Sequence, residues 1–179
     1  MIEETLIDYI TGETVVNTGA EANRQAVERF LVERKGYLRS DIAVSVPLVV
    51  EAAGRSYRSA VDLVVSVPPS DRTGSPVQLM AFKCAAGSLG SREREVLAAA
   101  RLLNAAYQIP LAVASDGATA IVLDTLTGKK RGEGLDWIPS RQAAFDMLGR
   151  LAFEALPADR RGREMLIFSS YDSLNVNRV

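Results

Sequence analysis

Two residues in this chain have the types and spacing to do chemistry: Asp62 and Lys83, each in its own apolar run, twenty-one positions apart. A carboxylate and an ammonium brought together where two strands pair can assist phosphodiester hydrolysis. The carboxylate, with a backbone carbonyl such as that of Phe82, holds Mg²⁺, and the cation polarises the phosphate. The lysine then stabilises developing negative charge or helps activate the attacking water. Such a centre normally has a second carboxylate two residues before its lysine, and that position is Ala81. A purely structural alternative stands beside this one: Asp62 and Lys83 form a semi-buried ion pair, or Lys83 snorkels from a strand end.

Composition narrows the chemistry further. The chain has no histidine, which removes Ser-His-Asp and Cys-His nucleophilic catalysis and most zinc sites. Carboxylate, lysine and hydroxyl groups remain, most naturally with a hard cation. The single cysteine, Cys84, excludes an internal disulfide and suits a reducing, cytoplasmic setting. Following Lys83, it is expected to face the other way as a small buried hydrophobe. No run is long and apolar enough to span a bilayer, and the acidic start is no signal peptide, so no membrane partner is expected. A net charge of -1 leaves room only for a local basic footprint, drawn from Arg55, Arg58, Lys83, Arg92, Arg94 and Arg101. Ordinary solvated charges would account for the same residues.

These side chains need elements to position them. The 179 residues, 47% of them hydrophobic, suit one domain with a sizeable core. Residues 1–17 read as a hairpin turning at Thr11-Gly12. Thr18 and Glu21 have capping-box spacing and open a helix that Gly36 ends. Strands are expected over 42–50, 57–67 and 77–84, with a turn at Ala53-Gly54 and an exposed Pro/Ser/Gly loop over 68–76. Pro47 marks the first of these as an edge strand or bulge. A helix over about 91–107 follows, then a hairpin of 111–114 and 119–123 around Asp116-Gly117. Residues 127–134 read as a polar, basic loop. Helices over 140–156 and about 158–168 close the chain, and 173–179 reads as a frayed tail. Alternation places Asp62, Val64 and Ser66 on one strand face and Leu79, Ala81 and Lys83 on one face of the next. The order implies an α/β fold with a central mixed sheet flanked by helices.

Several stretches together resemble a known family. They are Glu21-Ala22-Asn23-Arg24-Gln25, the run from Leu31 through Gly36-Tyr37, Tyr57-Arg58-Ser59-Ala60-Val61-Asp62, Ala81-Phe82-Lys83, and Val113 through Asp116-Gly117. In this order they resemble the N-terminal nuclease domain of type I restriction enzyme R subunits, a branch of the PD-(D/E)XK nucleases. The resemblance implies a restriction-endonuclease-like fold and a Mg²⁺-dependent DNA-cleaving centre. The metal-binding Asp falls on Asp62, with the Phe82 carbonyl beside it, the lysine on Lys83 and the first-helix glutamate on Glu21. DNA as partner gives Arg58, Arg92 and Arg94 the role of phosphate contacts.

Two departures matter. The Glu of the E-x-K motif falls on Ala81, and a Gln and an aromatic of the next helix fall near Ala99 and Leu103. Losing one preorganised electrostatic group of an active site typically costs about a hundred- to a thousandfold in rate. Glu93 and Glu95, at the start of the second helix, are the candidates for a migrated carboxylate. Glu21 also has an ordinary role as a helix cap. No ATP-binding G-x-x-x-x-G-K-[ST] is present, so the motor that follows this domain in restriction subunits is not expected here. The expectation is an endonuclease-like fold whose Mg²⁺-dependent cleavage is impaired or lost. The alternative is a non-catalytic module that uses the same fold to bind a protein partner.

Overall fold

In the computed structural model, residues 4–69, 71 and 73–174 are described. A short hairpin opens them, with β1 (Thr5–Ile7) antiparallel to β2 (Thr14–Val16). Asp8 organises its turn by accepting the N–H groups of Ile10 and Thr11. The first three residues of the expected hairpin lie outside the described residues. Helix α1 (Gly19–Glu33) is capped as its sequence implies, the Thr18 hydroxyl accepting the Glu21 N–H at 3.1 Å. Gly36, at φ 77°, turns the chain out of it.

Six strands form the main sheet in simple order: β3 (Ile42–Ala52), β4 (Arg55–Val67), β5 (Val77–Cys84), β6 (Leu111–Ser115), β7 (Ala120–Asp124) and β8 (Lys130–Glu133). All neighbours are antiparallel except β5 and β6, which are parallel and joined through helix α2 (Glu93–Leu102). The sheet is therefore mixed, with helices on both faces, as expected. Pro47 lies in the edge strand β3, where a missing N–H costs no ladder bond on the open side.

Each face has its own apolar layer. Helices α1 and α3 (Arg141–Met147) cover one, where Leu31, Phe82, Val113 and Ala144 meet. Helices α2 and α4 (Ala158–Ser173) cover the other, where Val64, Ala81, Ala98, Ala112 and Phe168 meet. The turn at Gly117 packs directly on α1, since a β-carbon there would lie 2.6 Å from Ala26 Cβ.

Element boundaries differ from expectation at four places. A 3-10 turn over Leu89–Arg92 precedes α2, which ends at Leu102 rather than near Tyr107. Just beyond that end, the Asn104 side chain accepts the N–H groups of Ala106 and Tyr107. The helix expected over 140–156 stops at Met147 and a 3-10 turn to Arg150. Residues 151–157 are pulled out by tertiary contacts: the Gln108 N–H donates to the Glu154 carbonyl, and Phe153 packs edge-on against Tyr107. The last helix instead continues to Ser173; of the expected frayed tail, 175–179 lie outside the described residues. Finally, the expected loop 127–134 contains β8, with Trp137 lying over Gly132.

Candidate functional site

Strands β4 and β5 bring the two sequence-predicted residues together. Their ladder pairs Leu63 with Phe82 and Val64 with Ala81, and its continuation sets Asp62 opposite Lys83. Lys83 Nζ lies 3.5 Å from Asp62 Oδ1. The other carboxylate oxygen, Asp62 Oδ2, accepts the Cys84 N–H at 2.7 Å. Ala81 shares this sheet face but is fully buried in the layer beneath α2.

Asp62 is not the lysine's sole carboxylate. Glu95 in the first turn of α2 reaches to 3.2 Å of Nζ, and Asp172 near the end of α4 to 3.7 Å. Both are almost inaccessible, with side chains 2% and 0% exposed. Asp172 also accepts the Tyr57 hydroxyl at 2.5 Å, and Glu95 meets Arg92 at 3.5 Å. Three acids from β4, α2 and α4 thus close around one ammonium. Burying charge at this density is tolerable only through such mutual pairing.

In front of Asp62 and Lys83 opens a cleft of about 160 Å³, lined also by Glu21, Arg24, Ser45 and Arg92. The β3–β4 ladder skips Ser45, which sits at φ 52° between the pairs Val44–Leu63 and Val46–Val61. On the α1 wall, Glu21 turns its carboxylate to Arg24 at 2.5 Å and to Gln25 at 2.9 Å. The reciprocal half of a capping box is not made, because the Thr18 N–H donates to Val16 instead. Arg24 also meets Asp8 at 2.8 Å and Glu28 at 3.1 Å. Burial would raise the Asp8 carboxyl, but the Thr11 N–H, Arg24 and Gln25 hold it below its ordinary value. Burial pushes the fully enclosed Glu28 up to about 7, with Arg24 opposing and Asp8 and Glu21 adding to the rise.

The remaining expected residues divide. Of the two migrated-carboxylate candidates, Glu95 joins Lys83, whereas Glu93 pairs with Lys130 at 3.6 Å. Phe82 is wholly buried on the opposite sheet face, and Cys84 lies there too, its thiol raised well above its ordinary value by burial. Arg92 lines the cleft, while Arg94 is exposed and donates to the Tyr171 hydroxyl at 3.2 Å. Arg58 is exposed toward the β3–β4 turn, paired in the ladder with Val49. Arg101 is no exposed contact: it is buried and donates to Glu164 at 2.8 Å and to the Thr125 carbonyl. Sequence reasoning missed Asp172, Tyr57, Ser45 and Arg24. Asp172 carried no local signal, because it joins the site only through the packing of α4 on the sheet. Among the described residues, no three His, Cys, Asp or Glu side chains are grouped so as to hold a metal ion.

A mixed six-stranded sheet between helix layers, with an acid and a lysine meeting on adjacent central strands, defines a restriction-endonuclease-like α/β protein. The family model for the type I restriction enzyme R protein N terminus (HSDR_N) matches residues 19–139, most of the chain, and the chain belongs to this family. No curated protein and no solved structure matches it. No helix among the described residues is long and apolar enough to cross a membrane.

Proposed function

We propose that this chain is a DNA-associated domain of the restriction-subunit type in which Mg²⁺-dependent phosphodiester cleavage is impaired or lost. The observation that carries this reading is the enclosure of Lys83 by Asp62, Glu95 and Asp172. A lysine that stabilises a phosphorane-like charge must offer its ammonium to the substrate. Here three carboxylates overcompensate it, so an approaching phosphate meets net repulsion behind the lysine.

The residues present also do not fit a divalent cation. Mg²⁺ is small, favours octahedral oxygen ligation and is usually held by one or two carboxylates. One oxygen of Asp62 accepts a backbone N–H and the other faces Lys83. Glu21 is engaged by Arg24 and Gln25, and the position that should supply a further ligand is the buried Ala81. Glu95 and Asp172 are likewise engaged, by Lys83, Arg92 and Tyr57.

The test is incubation of supercoiled plasmid with pure protein in Mg²⁺ or Mn²⁺, beside Lys83→Ala. No nicking above the buffer level is expected from either protein. Cleavage by the unaltered chain that disappears in Lys83→Ala and Glu95→Ala would mean that Glu95 replaces the missing ligand and that the site is active. A second reading keeps the fold as a protein-docking module, and the exposed Leu166 and Leu174 on and just after α4 favour it. Absence of DNA binding at low salt would select it.

A further inference from the structure

Helices α2 and α4 pack side by side, and a groove of about 280 Å³ runs between them. Four arginines line it, Arg94, Arg101, Arg160 and Arg163, against a single acid, Glu164. The lining therefore carries a net charge of +3 (4 − 1) in a chain whose total is -1.

Glu164 is engaged first by the buried Arg101. It is 3% exposed and turned inward, accepting from Arg101 at 2.8 Å. Arg101 is itself 8% exposed and anchored to the Thr125 carbonyl at 3.1 Å. This buried pair links α2 to α4 beside their shared apolar layer. Arg94, Arg160 and Arg163 remain exposed on the walls, with Arg160 also pairing with Glu164 at 3.6 Å. The β7–β8 turn borders the same groove, because a β-carbon on Gly128 would lie 3.3 Å from the Arg101 guanidinium. Lys129 follows it directly, while the next residue, Lys130, is paired with Glu93 and Glu133.

We propose that this groove follows the phosphate backbone of DNA. The proposal rests on the DNA-associated reading above and gives it a surface. Planar guanidiniums suit phosphate oxygens through paired N–H donors. No aromatic side chain lines the groove, so bases find no stacking platform, and contact to the backbone without sequence preference is expected. Arg94 and Arg92 lie two positions apart at the start of α2, one in the groove and one in the cleft. Both helices also reach Lys83, through Glu95 and Asp172, so a duplex along them would lie on the sheet face that carries this lysine.

The experiment is fluorescence anisotropy with a short labelled duplex over a salt series. It compares the unaltered chain with Arg160→Gln/Arg163→Gln and with Arg34→Gln/Arg150→Gln, which removes the same charge on the opposite sheet face. Each phosphate contact adds about 0.9 to the slope of log affinity against log salt. The groove variant should lose about two contacts' worth of slope, and the comparison variant should keep it. Arg94→Gln, on the other wall, gives an independent reading if the α4 variant melts early; it should lose about one contact. Unchanged slopes in both groove variants would overturn this inference while leaving DNA association intact. No binding by the unaltered chain would overturn both. Equal competition by polyglutamate at matched charge would reassign the groove to an acidic protein segment.

Discussion

Removing the Lys83 ammonium would leave Asp62, Glu95 and Asp172 facing one another with little water to screen them. Breaking a buried ion pair by deleting one partner costs about 3–5 kcal/mol, because the remaining charge is uncompensated. Lys83→Met should therefore lower stability by about that amount in urea titrations, and adding Glu95→Gln and Asp172→Asn should restore much of it. A Lys83→Met protein as stable as the unaltered one would show that the three carboxylates do not bear on the lysine as described. The Asp62–Lys83 contact was legible from the chain alone, since alternation fixes their strand faces and adjacent antiparallel strands bring them opposite. Glu95 was legible as one of two acids opening a helix, but choosing it over Glu93 needs the helix rotation. Asp172 was not legible, because nothing local ties the end of α4 to a strand that ends at Cys84.

Helix ends and short strands are where elements escaped the sequence. The α2 and α3 boundaries are set by Asn104 and by the docking of 153–155 on Tyr107 and Gln108, contacts that no periodicity encodes. Strand β8 is polar, and only its pairing with β7 makes it a strand. The α1–hairpin contact offers a test at this scale, because Arg24, Asp8 and Glu28 join the two elements away from water. Glu28 ordinarily titrates near 4.5, and burial raises it to about 7 in the fold. Between these values the folded chain keeps a proton that the unfolded chain has released. The stabilisation from this group is full below pH 4.5 and is lost as pH rises to about 7. Glu28→Gln removes the titration, so its stability relative to the unaltered chain should rise across that window. Parallel pH–stability curves for the two proteins would mean that Glu28 is not shifted.

At the scale of the molecule, the fold class followed from element order and the apolar central strands, and the family match over 19–139 agrees with it. The distribution of charge did not follow. A net charge of -1 hides a cationic α2–α4 groove, because Arg160 and Arg163 lie far along the chain from the arginines that the sequence singled out. The same closure of α4 over the sheet that builds this groove also delivers Asp172 to Lys83. Interior and surface are in this way products of the same packing of α4 on the sheet. The most direct measurement is a calorimetric titration of the pure chain with Mn²⁺. No saturable heat is expected, and no difference between the unaltered chain and Asp62→Asn. A one-site isotherm that vanishes in Asp62→Asn would contradict it.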